Sequence, residues 1–243
     1  MTTPVEPILS LRRVSRVYGR IRALCAVSFD VAAGEAIALF GANGAGKTTL
    51  LRVASTLLTP SGGEILYRGK VLNGGSRNTY RRAIGLVGHA SFLYDELSAR
   101  ENLILHARLR QVPAAEERAD HLLERVGLME RRHDRVSHFS RGMEQRLSLA
   151  RALVSKPDLL LLDEPFTGLD KPGTELLCQV LRDHRDAGGT TIMISHDLSL
   201  GLSLVDRYLL LAQGALHTVA DASPWHGVPP HEIGLDGLMM GHP

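Results

Sequence analysis

The run Gly41-Ala42-Asn43-Gly44-Ala45-Gly46-Lys47-Thr48-Thr49 fits the pattern G-x-x-x-x-G-K-[ST], and its neighbours give that pattern physical meaning. Before it, Ala36-Ile37-Ala38-Leu39-Phe40 is a short apolar segment that reads as a buried strand; after it, Thr49 to Ala54 reads as the opening of a helix. The order is strand, glycine loop, helix. In that order the backbone N–H groups of Gly44, Ala45, Gly46 and Lys47 can converge on phosphate oxygens, because glycine lacks the Cβ that would block a tight concave turn. The positive end of the helix dipole adds to them. Lys47 then reaches the terminal phosphates as a point charge, the Thr48 hydroxyl completes a magnesium shell, and Thr49 lies on the α-phosphate side. Gly41 to Thr49 as a whole is the expected nucleotide site.

Composition removes several alternatives. The chain has 243 residues, enough for one large domain or a domain with an inserted subdomain. It has 28 basic and 26 acidic residues, so no overall field argues for nucleic acid; the early arginines (Arg12, Arg13, Arg16, Arg20, Arg22) read as a solvated strand face. Cys25 and Cys178 have no metal-ligand spacing, and the histidines include no HExxH pair. No run approaches the roughly 18 apolar residues of a membrane span, and the start lacks the basic and apolar regions of a secretory signal. A role at a membrane therefore implies another protein that holds the chain there.

Along the chain, Ile8 to Val14 and Ala26 to Val31 read as strands around a turn at Tyr18-Gly19, a small antiparallel edge sheet. Tyr18 is placed to stack on an adenine ring, or is an ordinary strand tyrosine. Glu64 to Tyr67 and Gly69 to Leu72 form an expected hairpin, and Arg82 to Val87 an expected strand ending in Gly88-His89-Ala90. From about Ser98 to Ala152 the spacing turns helical. Ser98 and Glu101 make a capping box for a helix to Leu109, a second helix runs from near Pro113 to Gly127, and a third follows Phe139-Ser140-Arg141-Gly142-Met143 and closes before Pro157. A helical subdomain, about residues 91–155, is thus inserted into an α/β core. Leu159 to Leu162 is an unbroken apolar run, as a central parallel strand requires, and it ends in Asp163-Glu164-Pro165. Thr190 to Ile194 ends in Ser195-His196-Asp197, and Tyr208 to Leu211 with Ala215 to Val219 make the last strand pair. Residues 220–243 stay unassigned.

Functional residues of an open parallel sheet collect at the carboxyl ends of its strands, and the glycine loop, His89, Asp163-Glu164 and His196 all fall there. The chain turns at Asp163-Glu164, so both carboxylates can address one nucleotide: Asp163 holding magnesium through water with Thr48, Glu164 polarising the attacking water as general base. His196 contacts the γ-phosphate and orients water or Glu164.

These motifs together resemble the ATP-binding-cassette (ABC) ATPases, the nucleotide-binding subunits of ABC transporters, over about Ile8 to Val219. Thr167-Gly168-Leu169-Asp170 resembles the D-loop and His196 the switch histidine of that family. Phe139 to Met143 stands where the family signature Leu-Ser-Gly-Gly-Gln begins; Ser140 and Gly142 are retained, while Phe139, Arg141 and Met143 depart from it. The resemblance implies a P-loop NTPase core of α/β class with a mostly parallel central sheet, an N-terminal antiparallel edge sheet and an inserted helical subdomain. It implies ATP and Mg2+ as cofactors, transmembrane permease subunits as partners, and a site on the cytoplasmic face of the membrane. It also implies a second ATPase subunit, an identical copy, whose Ser140 and Gly142 complete the site on the first. His89 stands where the family usually has a glutamine that touches magnesium, and its protonation near pH 6.5 would oppose the metal.

The Gly88-His89 pair, with Arg141-Gly142-Met143 and Leu162 to Asp170, is similar to the haem-exporter ATPase subunits of cytochrome c maturation. Drug and polysaccharide exporters share most of these motifs, because the membrane subunits select the substrate. Soluble ABC ATPases of DNA or ribosomes would carry a coiled-coil or zinc insertion or a second cassette, and a P-loop kinase would not explain Ser140-x-Gly142. The expectation is an exporter subunit with no nucleic-acid partner.

Overall fold

The computed structural model describes residues 6–88, 90–229 and 232–240. A long hairpin, β1 (Pro7–Tyr18) and β2 (Ile21–Ala32), leads to β3 (Ala36–Phe40) and, past the glycine loop, to α1 (Lys47–Ala54). Then come β4 (Gly62–Tyr67), β5 (Lys70–Val71), α2 (Ser76–Ala83) and β6 (Ile84–Val87). Three helices separate β6 from the next strand: α3 (Ala99–Leu109), α4 (Ala115–Arg125) and α5 (Arg141–Ala152). The chain continues through β7 (Leu159–Asp163), α6 (Lys171–Asp186), β8 (Thr190–Ile194), α7 (Leu198–Ser203), β9 (Arg207–Ala212), β10 (Ala215–Asp221) and α8 (Leu235–Met240).

β2-β1-β4-β5 is an antiparallel sheet, and β10-β9-β3-β8-β7-β6 is a mixed sheet, parallel from β9 to β6 with β10 antiparallel at its edge. Successive strand side chains point to opposite faces, so the central sheet divides two cores. Ile37 and Leu39 of β3 and Leu159 and Leu161 of β7 join α1 and the antiparallel sheet; Ala38, Phe40, Leu160 and Leu162 join the helices on the far side. β3 and β7 are buried at every residue, which explains their unbroken apolar sequence.

The capping box forms as its sequence implies: Glu101 N–H donates to the Ser98 hydroxyl at 3.2 Å, and Ser98 N–H to the Glu101 carboxylate at 2.8 Å. Leu122, Leu123 and Val126 are fully buried along α4. One expectation is corrected. Arg82 and Ala83 end α2, and the strand starts at Ile84. α2 has only two apolar residues, Tyr80 and Ala83. It is held by Tyr80, wholly buried, whose hydroxyl donates to Ala54 O at 2.8 Å, and by Arg110, which donates to the carbonyls of Arg81, Arg82 and Ile84. The segment after β10 also has structure: a 3₁₀ turn at Ser223–Trp225 and α8, with Trp225, Ile233 and Leu238 buried.

Candidate functional site

Between β3 and α1 the chain takes backbone conformations that only glycine adopts without strain. Gly41, Gly44 and Gly46 have φ of 146°, 79° and 105°. Space enforces this as well: a Cβ at Gly41 would lie 2.1 Å from Leu211 O, and one at Gly46 2.5 Å from Ala23 O. Thus β9 and β2 clamp the base of the loop, while its crest, Ala42 to Gly44, is exposed. Ala45 is buried, and its carbonyl accepts from Gly214 N–H at 2.9 Å. α1 follows Gly46, its N-cap, with neither a side-chain cap nor an acidic residue in its first turn, an arrangement that suits an anion at its first N–H groups. Lys47 is 7 % exposed; its Nζ donates to Gly41 O at 2.7 Å and Ala42 O at 3.1 Å. Burial lowers the Lys47 pKa, and the charges of Glu164 and Asp163 oppose that shift. Thr48 and Thr49 are half-buried in the first turn of α1.

β7 carries Asp163 at its end, 5 % exposed and in register with Ile194 of β8. The next residue breaks the regular backbone. Glu164 has φ 55°, in the left-handed region that costs a non-glycine residue of order 1 kcal/mol or more. Its N–H donates to Ile194 O at 3.1 Å, and its carboxylate turns to the loop after β8. There Oε2 accepts from His196 N–H at 3.1 Å, and Oε1 lies 3.2 Å from His196 Nε2. Burial raises the Glu164 pKa above the ordinary carboxylate value; His196 and Lys47 oppose the shift and Asp163 adds to it. His196 is 60 % exposed at its side chain, so the pair opens on one side to solvent.

α5 begins on a surface. Ser140 is exposed, and its hydroxyl caps the helix by accepting Met143 N–H at 3.3 Å. Gly142 lies against the turn after β7: a Cβ there would be 3.0 Å from Gly168 O. The carbon stem of Arg141 covers Gly168, whose φ is 82°. One turn further, Gln145 Nε2 donates to Pro165 O at 2.9 Å and fastens α5 to the Asp163–Pro165 segment. Gln145 was not singled out in the sequence, although its place five residues after Ser140 puts it on the first turns of the same helix.

A cleft of about 420 Å³ is lined by Thr48, Asp163, Gly88, Ala90 and Phe92 among others, and a second of about 460 Å³ adds Glu164, Arg141 and Gln145 to the last four of these. Thr48 and Asp163 thus offer hard oxygen donors across one space, a donor set that fits magnesium. His89 lies outside the described residues. Tyr18 ends β1 and is 42 % exposed, with the Arg16 guanidinium carbon 4.7 Å from its ring centroid on one face.

Residues 24–167, more than half of the chain, match the family model described as ABC transporter. The chain belongs to that family. The cytochrome c biogenesis ATP-binding export protein CcmA 1 of Cupriavidus metallidurans is 35 % identical over 203 residues, 83 % of this chain and 98 % of that one. The sulfate/thiosulfate import ATP-binding protein CysA of Thermosynechococcus vestitus is 36 % identical over 214 residues, 87 % of this chain and 63 % of that one. Among solved structures, the dimeric post-hydrolysis state of the ATP-binding cassette MJ0796, bound to ADP and Pi, superposes with a TM-score of 0.82 at 26 % identity, covering 88 % of this chain and 98 % of that one.

This ABC ATPase is therefore an ATP-binding, ATP-hydrolysing subunit with the P-loop NTPase fold. Its relatives include proteins named for export and for import, so family membership leaves direction and substrate open. Family subunits work in pairs with membrane permeases; among the described residues no helix is long and apolar enough to cross a membrane.

Proposed function

We propose that this ABC ATPase binds MgATP on the Gly41–Thr49 loop, hydrolyses it with Glu164 as general base, and drives an export permease at the cytoplasmic face of a membrane. The observation that carries the catalytic assignment is the conformation of Glu164: a strained backbone and a half-buried carboxylate held against His196 N–H, beside Asp163 and beyond the last strand residue.

Each residue has a separate task. The N–H groups of Gly44 to Lys47 receive the β-phosphate, Gly41 to Asn43 shape the loop, and Lys47 turns from its own loop carbonyls to phosphate oxygens. Thr48 and Asp163 hold Mg2+, which when bound neutralises the charge on the phosphates. Glu164 takes the proton of the attacking water, and His196 keeps that carboxylate aimed. Thr49 lies beside the α-phosphate and Tyr18 stacks on adenine. Ser140, exposed at the start of α5, and the neighbouring Gly142 serve the ATP of a second, identical copy through a hydroxyl, an N–H and a helix start. His89, which lies outside the described residues, takes in this reading the place of the family's magnesium-touching glutamine.

Export, with haem for cytochrome c assembly as the cargo, is supported by the relative named a cytochrome c biogenesis ATP-binding export protein and by Gly88-His89 and Arg141-Gly142-Met143. A drug- or polysaccharide-type exporter is the second reading, favoured by the shared motifs. Purification of the full chain from membranes tests the proposal. A partner with several membrane spans is expected to co-purify and to transport its cargo outward only with ATP. A chain that stays unattached, or that binds nucleic acid with nucleotide-dependent affinity, contradicts it.

A further inference from the structure

Two aromatic contacts tie the segment after β10 to the root of the phosphate loop. Trp225 is 2 % exposed and meets Tyr208 of β9 edge-on, with centroids 6.5 Å apart at 85°; Tyr208 lies 6.3 Å from Phe40. Phe40 is the last residue of β3, directly before Gly41. The Tyr208 hydroxyl donates to Leu238 O at 2.9 Å, which ties α8 to the same ring.

Phe40 also touches the helix that follows the His196 turn. A Cβ on Gly201 of α7 would lie 2.9 Å from Phe40 Cζ and 3.3 Å from Ser195 Cβ. α7 has only six residues and follows Asp197, which caps it by accepting Leu200 N–H at 2.9 Å. A helix this short cannot fix its own position, so contacts from elsewhere set it. At its other end stands His226. His226 Nε2 lies 3.0 Å from Leu202 O and 3.3 Å from Val205 O, two acceptors, so this nitrogen carries the proton and donates. The contacts close a ring: Phe40, α7 through Gly201 and Leu202, His226 with Trp225, Tyr208, and Phe40 again.

We propose that His226 and Trp225 are positioning residues for hydrolysis: they set the height of α7, and through it the reach of His196 toward Glu164 and the seat of the phosphate loop on Phe40. This rests on the role given to His196 above. The last segment of the chain is then part of the catalytic apparatus without touching nucleotide, and a partner or cut that displaces it slows turnover while ATP still binds.

The test compares His226→Ala, His226→Gln and His196→Ala in the full chain, with kcat and KM for MgATP, melting temperature, and the emission of Trp225, the chain's one tryptophan. Loss of one donor bridging two carbonyls is expected to lower kcat about three- to tenfold while KM stays within about twofold. His226→Gln, whose amide can donate to the same carbonyls, is expected to recover most of kcat. MgATP is expected to change Trp225 emission in the wild type, and less so in His226→Ala. Wild-type kcat in His226→Ala, equal loss in the Ala and Gln variants that tracks melting temperature, or Trp225 emission indifferent to MgATP overturns the proposal. Unchanged kcat in His196→Ala instead overturns the role of His196 on which it stands.

Discussion

The Gly41–Thr49 loop and the Ser140–Gly142 turn both present backbone N–H groups at the start of a helix, yet their surroundings are opposite. The loop is clamped from two sides, with Gly41 against Leu211 O, Gly46 against Ala23 O and Lys47 bonded back to Gly41 and Ala42. Its shape is held by contacts within the chain itself, which lowers the ordering cost of binding. The turn at Ser140 is exposed, has one capping bond to Met143 N–H, and rests on Gly168. It has the chemistry of a phosphate contact and, among the described residues of its own subunit, no enclosure for one. In the proposed function their roles differ: the cradle built inside one chain binds ATP, and the exposed donor set acts on the ATP of a second copy.

The sharpest way to break this comparison is to disable the chemistry and leave both donor sets in place. Glu164→Gln is expected to reduce turnover by roughly 10²-fold or more while ATP stays bound, measured as phosphate release against retained nucleotide. The same change is expected to raise the melting temperature at pH 7. Burial raises the carboxyl pKa in the folded state, so the folded chain holds that proton more tightly than the unfolded one. As pH rises past the ordinary carboxylate value the unfolded state ionises first and stability falls, and it stays lower above the folded pKa; a glutamine escapes that loss. A Glu164→Gln protein that melts lower than wild type removes the claim that burial of this carboxylate costs the fold stability at pH 7.

A smaller effect is expected from pH. Since Glu164 must be ionised to accept a proton, kcat is expected to fall by up to about tenfold per pH unit below its raised pKa, with the limb lying above the ordinary carboxylate range near 4.3. The residual rate of Glu164→Gln is expected to lack this limb. A limb of the same position in both proteins assigns it to another group.

Much of this was legible in the sequence because local chemistry and fold agree there. Leu159 to Leu162 had to be a covered parallel strand, Ser98 and Glu101 had to open a helix, and the spacing of Gly41, Gly44, Gly46 and Lys47 leaves few other loops. α2 was hidden because its order comes from distant groups, Tyr80 on Ala54 and Arg110 on three carbonyls, and its own sequence is polar. The left-handed Glu164 and the bond from Gln145 to Pro165 were equally invisible: neither residue type announces a conformation that its neighbours impose. Trp225 and His226 sit in a stretch whose Pro, Gly and His content masks the few apolar residues that dock it.

The central claim is that one catalytic site needs two copies of this chain. The most direct measurement is sedimentation equilibrium of the full-length Glu164→Gln protein with MgATP, alone and combined with Ser140→Asp. Aspartate caps α5 as well as serine does, so the helix is kept while a negative charge replaces the hydroxyl that would meet phosphate. The single variant is expected to become a dimer on MgATP, and the double variant to bind ATP equally and remain a monomer. A double variant that dimerises as readily, or a single variant that stays monomeric with ATP bound, would contradict the composite site.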